Sequence, residues 1–464
     1  MKRLRLYFLS PLNYKLHGLA LLVMLSFIAL VVFSRSSEAH NLQGYLLLMS
    51  ACYAGVFGSF IYFHQVGQNL SARYVFSWAL VFHLLGIFGM PLFEDDYFRY
   101  LWDAYQSVQL GSPYGIAPSD YFYSSELNHK IPNNFQSILG QINYPDIPTI
   151  YGPSLQYSFL MAYLIAPGEV WALQLIYSAF DMLLIGILLQ LAKPNLVMLY
   201  AWSPLVFKEI ILTAHPDGFG MGLLMISIFC LHKQYFYGVA IFLAASVGAK
   251  IFALIFVPFL LIQCKPRHWL VFLMILASLY IPLLAKDHSD LIGLSAMAQN
   301  WEFNSALYGL LAQFISPSQA KLFLAILLCG FFAWYFFLFS QPRFSAHWPL
   351  YCVTKNHEPV RGDWLMGALL LCAPVINPWY LLWVLPFAVL HTNLSAWLAS
   401  VMVMLAYVVG LNMTGDIILG PYDQPVWIRV LEFSVIFMSL LMERFYQYRK
   451  SKKQLLKTEL NNGF

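Results

Sequence analysis

The stretch FSWALVFHLLGIFGMPLFEDDYFRYLWD, residues 76–103, carries the transition on which the reading of the chain turns. Its first part, Phe76 to Phe93, is apolar and long enough to cross a bilayer. Three carboxylates follow at once: Glu94, Asp95 and Asp96. Carboxylates at a membrane boundary are costly unless they face water or a partner, so they mark a candidate site. On a helix, Asp96, Arg99, Tyr100 and Asp103 fall at i, i+3, i+4 and i+7, which is one face. That face combines a candidate base, a fixed cation and two hydrogen-bonding groups, and leaves Phe98 and Trp102 free to rest in the interface. The competing reading is an interfacial helix with a solvated acidic cap.

Composition sets the class. The 464 residues are 60% hydrophobic and 10% charged, whereas soluble domains carry roughly a quarter charged residues. Apolar runs recur from end to end, which predicts an all-α polytopic membrane protein. The net charge of +4 is spread over the termini and short connections, so no nucleic-acid partner is expected. Lys2, Arg3, Arg5 and Lys15 at the start, with Arg449, Lys450, Lys452, Lys453 and Lys457 at the end, place both termini in the cytoplasm. The first apolar segment, His17 to Phe33, reads as an anchor rather than a signal peptide. Cys52, Cys230, Cys264, Cys329, Cys352 and Cys372 show no CxxC pairing and read as plain core residues.

Four regions result: transmembrane segments over 1–93, an extracytoplasmic loop with amphipathic helices over 94–151, a transmembrane core over 152–447 and a basic cytoplasmic tail over 448–464. Long apolar segments lie near 17–34, 43–63, 73–93, 171–191, 196–213, 217–232, 268–285, 319–340, 395–411 and 427–443. Shorter ones near 153–167, 238–249, 251–263, 305–316, 364–376 and 379–391 suit half-helices or re-entrant pieces. Counted from a cytoplasmic N-terminus, three crossings put the insert on the far side of an inner or plasma membrane. Cationic connections at Lys233, at Lys265 to Arg267 and from Arg343 to Arg361 would stay inside. His215 to Asp217, the loop from Lys286 to Asn304 and a hairpin tip at Lys250 then join the insert on one surface.

Each polar cluster has two readings. Asp217 can cap the helix it begins, with His215 ready to meet an anion there, or the pair is a simple turn. Lys250 interrupts an apolar run and needs a partner, either a counter-ion such as Asp181 or a bound anion. Asp181 itself reads as a structural partner for another helix. Trp301 and Asn304 suit sugar stacking or an interfacial belt. Trp379 and Tyr380, after Asn377-Pro378, line a cavity or mark a kinked junction. Asn143-Tyr144-Pro145 and Thr149-Ile150-Tyr151-Gly152-Pro153 are a site element or an ordered loop-to-helix turn. The absence of zinc spacing, a Walker loop and a dinucleotide fingerprint removes nucleotide-driven pumps and most redox enzymes.

Taken in order, these motifs resemble a known family. Asp96-x-x-Arg99-Tyr100-x-Trp102-Asp103, Gly111-x-Pro113-Tyr114, Ala117-Pro118, Asn143-Tyr144-Pro145, Thr149-x-Tyr151-x-Pro153, His215-x-Asp217, Gly248-x-Lys250, Trp301-x-Phe303-Asn304-Ser305 and Pro378-Trp379-Tyr380 are similar in order and spacing to the bacterial GT-C glycosyltransferases. The nearest branch is that of the polyprenyl-phosphate-mannose-dependent mannosyltransferases, related in pattern to GPI mannosyltransferases. Ala104 and Gly152 depart from the pattern, where glycine and proline would be expected. The resemblance implies a GT-C-like fold of about 11 to 13 transmembrane helices with re-entrant half-helices and a catalytic acid in the first large extracytoplasmic loop. It implies hexose transfer, mannose first, from a polyprenyl-phosphate donor to a glycan, lipid or protein hydroxyl.

The chemistry of such a transfer needs one base. Asp96 is the choice and Asp95 the runner-up. Arg99, Lys250 and His215 are candidates for the leaving phosphate, and Tyr100, Asp103, Asp217, Trp301, Asn304, Trp379 and Tyr380 for the rest of the donor. No cofactor is expected to be essential, although Glu94, Asp95 and Asp96 could bind a divalent metal. A lipid or glycolipid transporter or flippase, a lipid-linked glycan ligase or polymerase, and a membrane scaffold are the alternatives. A transporter would usually show matching interrupted halves, and the sequence shows none.

Overall fold

The computed structural model describes residues 11–37, 39–124, 131–284, 288–340, 360–413 and 419–462. The basic cluster at Lys2, Arg3 and Arg5, Lys130, Lys286, Arg343, Cys352, and the side chains from Lys450 onward lie outside what is described. The chain is an all-α polytopic membrane protein. Every named element is helical, and the described residues include an isolated bridge between Phe303 and Val375. Among the described residues, six helices are long and apolar enough to cross a membrane. A helix satisfies its own backbone hydrogen bonds, which hydrocarbon cannot do for it.

In chain order, α1 is Pro11–Ser34, α2 Leu42–Gln65, α3 Ala72–Gly86 and α4 Asp96–Leu110. Then come α5 Pro153–Ile165, α6 Val170–Leu191, α7 Pro194–Leu212, α8 Asp217–His232 and α9 Phe236–Ala249. They are followed by α10 Ile251–Leu261, α11 Pro266–Leu283, α12 Leu291–Asn300 and α13 Pro317–Ser340. The last four are α14 Gly362–Cys372, α15 Pro378–His391, α16 Leu394–Tyr407 and α17 Val426–Asn462.

The first three helices run antiparallel. Asn41 caps α2 by accepting from the Gly44 amide, and Ser71 caps α3 by accepting from the Tyr74 amide. The start of α1 meets the start of α3, where the Tyr74 hydroxyl donates to the Leu16 carbonyl at 2.6 Å. The end of α1 meets the turns after α3, where the Met90 amide donates to Ser34 at 3.0 Å. The chain therefore reaches Glu94 at the end of the bundle opposite the start of α1. The helix in the 73–93 run is shorter than expected. It stops at Gly86, where a side chain would strike Ile211 at 2.4 Å, and at Gly89 one would strike Leu212 at 2.1 Å. These glycines let the last turn nest on α7, and with Pro91 they end the helix early.

The centre of the bundle is α7, with 89% of its apolar window buried, against 17% for α11 and α13. The inner helices are short. At 1.5 Å per residue, the 14 residues of α9 rise about 21 Å, while the 24 of α13 rise about 36 Å. The hydrocarbon layer is about 30 Å thick. Chain reversals at 213–216, Lys250, 373–377 and 408–412 gather at the end where Glu94 emerges and surround a recess.

The insert covers that recess. Its helix α4 is buried continuously from Arg99 to Gln106 and ends at Gly111, whose φ of +78° suits glycine. Trp102 does not rest in the interface. It is fully buried, donates to Gln106 at 3.1 Å and lies edge-on to Tyr121. Phe98 is half-buried. The insert is long enough to fold its own aromatics over α4, as where Tyr105 stacks on Phe135 at 4.3 Å. Gly152 then enters the membrane region against the end of α9, and a side chain there would lie 2.3 Å from the Gly248 carbonyl oxygen.

That contact predicts a stability difference. Gly152→Ala is expected to cost about 1–3 kcal/mol through overpacking, read as a lower unfolding temperature in detergent. Gly58→Ala, where nothing lies within 4 Å, should be neutral or slightly stabilising. Equal stability of the two variants would contradict the packing described.

Candidate functional site

Asp96 opens α4 and is gripped from the far end of the insert. The Asn143 amide donates to Asp96 Oδ1 at 3.0 Å and to Asp95 Oδ1 at 2.7 Å, and the Tyr151 hydroxyl donates to Asp96 Oδ2 at 3.2 Å. One turn on, the Tyr100 hydroxyl meets His215 Nδ1 at 3.1 Å, and its ring stacks on Phe159 at 4.8 Å. Asp103 accepts from Thr149 at 2.5 Å and Gln156 at 2.9 Å. The Asn143 and Thr149–Tyr151 segments are thus the clamp that fixes the α4 face.

Arg99 differs from its expected role. Its guanidinium donates to the carbonyls of Tyr144 and Ile147, each at 3.0 Å. Tyr144 has a φ of +47°, an uncommon conformation for a residue with a side chain. Arg99 therefore braces a strained loop, and Asp103 ties that loop to α5; neither lines a cavity.

Lys250 sits at the hairpin tip between α9 and α10 in an extended conformation. Its partner is Asp217, at 2.7 Å, and not Asp181. Asp181 accepts instead from Tyr200 at 2.6 Å and pairs with His83 at 2.8 Å, the structural role expected of it. Asp217 makes no capping bond to its own helix. Its Oδ1 takes both Lys250 and the Trp383 indole N–H, at 2.8 Å. Lys250 also lies over the Tyr380 ring at 4.4 Å.

His215 stacks on Trp379 at 3.8 Å, and its Nε2 is buried without a hydrogen-bond partner among the described residues. Burial, with Lys208 and Lys250 nearby, holds its pKa down, which disfavours the cationic form a leaving phosphate would call for, and Glu209 Oε2 lies 3.9 Å from that Nε2. Asn304, at φ +42°, donates to Glu432 at 3.0 Å away from both cavities.

Two cavities meet at Asp96. The first, about 470 Å³, runs from Asp96, Tyr100, Asp217, Lys250 and Tyr380 along an apolar trough made by α12, α13 and α14. The second, about 300 Å³, is lined by Glu94, Asn143, Tyr144, Glu302 and Tyr422, among others. Asp96, Trp301, Val375, Asn377 and Trp379 line both, and Asp95 lines neither.

Two residues of the central helix escaped the sequence reading. Lys208 and Glu209 lie in a run read only as apolar, on a π-helical turn from Phe207 to Leu212. Lys208 donates to Glu209 at 3.1 Å and to the Tyr407 hydroxyl, which donates to Glu209 at 2.8 Å. Tyr407 lines the second cavity, so this buried pair underlies its floor. The signal available was the adjacent lysine and glutamate inside a membrane-length segment.

Glu94, Asp95 and Asp96 each bring a carboxylate oxygen within 4.8 Å of the others. Burial raises the pKa of all three, and the like charges of the cluster add to this for Glu94 and Asp95; Asn143 and Tyr151 oppose it at Asp96. Asp95 is pushed up to about 6, and burial also lifts Asp103 to about 6. Comparison with models of known families, with curated proteins and with solved structures finds no match to this chain.

These shifts predict carboxylic acids that ionise as pH rises through about 6, well above the ordinary aspartate value of about 3.9. Difference infrared spectroscopy should show protonated carboxyl bands lost over that range, diminished in Asp95→Asn and in Asp103→Asn. Loss confined to about pH 4 would mean the carboxylates are open to water.

Proposed function

We propose that the chain is a GT-C type glycosyltransferase that moves a hexose, mannose by its resemblance, from a polyprenyl-phosphate donor to an acceptor hydroxyl. The observation that carries this reading is Asp96 at the junction of an apolar trough ending at a lysine and a separate polar cavity. A lipid-linked sugar phosphate has an apolar tail, an anion and a sugar, and the first cavity offers surfaces for all three in that order. Lys250 uses one hydrogen bond on Asp217 and keeps donors for a phosphate. Lys321, also on the trough, is engaged by the carbonyls of Ala298 and Gln299.

In the reaction, the acceptor oxygen bonds to the anomeric carbon as the bond from that carbon to the phosphate oxygen breaks. The electron pair leaves on the polyprenyl phosphate, beside Lys250. The hydroxyl proton passes to Asp96. A raised pKa means this base is available only above the usual carboxylate range, so transfer should rise with pH along a displaced limb and fall as pH drops through it. Such a limb belongs to the coupled cluster. The three carboxylates could hold a divalent cation, but the mechanism asks nothing of one. EDTA is expected to leave transfer unchanged, and restoration by Mg²⁺ after loss would assign the cluster to an ion.

The site side is proposed to be extracytoplasmic. Lys15, Arg73, Lys193, Lys233, Lys265 and Arg267 all lie at helix ends opposite the recess, as cytoplasmic loops require. Tyr123, in the insert, is 88% exposed and reports its side of the membrane. In a cysteine-free background, Tyr123→Cys should react with an impermeant thiol reagent in intact cells with a permeabilised outer membrane. Lys233→Cys should react only after lysis; the reverse pattern overturns the sidedness.

The central test is Asp96→Asn, which keeps size and removes the base. Transfer from a polyprenyl-phosphate hexose should fall by roughly 10² to 10⁴, with donor binding intact and Asp95→Asn milder. Near-native transfer in the Asp96 variant with loss in the Asp95 variant would move the base by one residue. Near-native transfer in both would defeat this mechanism.

A further inference from the structure

The second cavity has a chemistry of its own. Tyr144 and Trp301 pack with ring centroids 4.6 Å apart, and Tyr144 stacks on Tyr422 at 5.7 Å, giving a run of three aromatic faces at its mouth. Tyr144 and Tyr422 are respectively 38% and 44% exposed, so the platform is open to a ligand rather than closed into the core. The strained Tyr144 backbone and the two bonds from Arg99 hold this ring in place. Around it stand carboxylates and amides, Glu302 and Asn377 among them. Apolar ring faces beside acceptors and amide donors suit a pyranose, which has C–H faces and a belt of hydroxyls.

Other acceptors fit less well. No Lys, Arg or His among the described residues lines the cavity, so its wall offers no counter-charge to a phosphate or an acidic headgroup. The extended segment on its wall is already paired. The Phe303 amide donates to Pro374, and the Ile376 amide donates to Phe303, each at 2.9 Å. That pairing leaves little free edge for a peptide to add to as a strand. A volume of about 300 Å³ is at the small end for a ligand site, the size for the tip of a chain.

We propose that this second cavity is the acceptor site and that it takes the end of an uncharged glycan, with a sugar ring on the Tyr144–Trp301–Tyr422 platform. The proposal rests on the hexosyl-transfer reading above. The acceptor sugar's hydroxyl oxygen becomes the new glycosidic oxygen, its proton goes to Asp96, and polyprenyl phosphate is the leaving product. Arg99 is then a positioning residue for the acceptor, through Tyr144.

The test uses the full-length protein in detergent with a radiolabelled polyprenyl-phosphate hexose. Acceptors are the p-nitrophenyl glycosides of mannose, glucose, galactose and N-acetylglucosamine, an acetylated Ser/Thr tetrapeptide amide, and phosphatidylglycerol. Label is expected on at least one glycoside. Tyr422→Ala and Trp301→Leu should raise the KM for that glycoside about three- to tenfold, the range one aromatic contact supports. The donor KM should not change in Tyr422→Ala, and Arg99→Lys should follow the same split. Trp427→Ala, at an exposed position outside both cavities, should alter neither constant. Label on the peptide or phospholipid instead, label released only as free hexose, or an unchanged glycoside KM in both aromatic variants would overturn the glycan assignment while leaving hexosyl transfer standing. No donor consumption under any condition would instead remove the hexosyl-transfer reading itself.

Discussion

The ion pair between Asp217 and Lys250 is the constraint on which the recess depends. A lysine at the tip of two half-length apolar helices is tolerable only beside a counter-charge. Asp217 supplies that charge from the first turn of α8 and holds the Trp383 indole of α15 with the same oxygen. One carboxylate thereby fixes three separate interruptions of the bundle relative to each other. Removing either charge would leave the other stranded, so the floor has one stable arrangement.

Other buried charges obey the same rule without forming a site. Asp181 is satisfied by His83 and Tyr200, Asp363 by Arg361 and Asn393, and Glu209 by Lys208 and Tyr407. Each is paired within the protein and remote from the trough, apart from the last, whose Tyr407 reaches the polar cavity. Lys250 and Asp96 are different because each is held by protein partners and also faces open volume. Unspent hydrogen-bonding capacity at a cavity wall, rather than charge alone, separates the proposed machinery from the scaffold.

Much of this was legible along the chain. The apolar runs gave the helices, the short runs gave the half-helices, and the lone lysine at 250 gave the hairpin tip. The clamp on Asp96 was visible as two turn motifs, though not as its partners. What one dimension withheld was pairing. Lys250 could be seen to need a partner, and Asp181 was the carboxylate named for it, but only the placed helices bring Asp217 to it instead. Arg99 and Asp103 shared a face with Asp96, yet one helix turn was enough to point them at the covering loop. Lys208 and Glu209 went unremarked because a long apolar average hides two adjacent opposite charges. The early end of α3 depended on how closely α7 approaches, which no local pattern records.

The contact between Gly152 and Gly248 bears on how such a protein can change. It is backbone against backbone, so it joins the clamp around Asp96 to the hairpin carrying Lys250 without using any side chain of either cavity. The spacing of Asp96 and Lys250 is therefore tied to a joint made of backbone alone. The aromatic platform and the apolar trough are walls hung from that joint. On the proposed function, they are the parts that can be rebuilt for a different sugar or a different lipid while Asp96 and Lys250 keep their spacing.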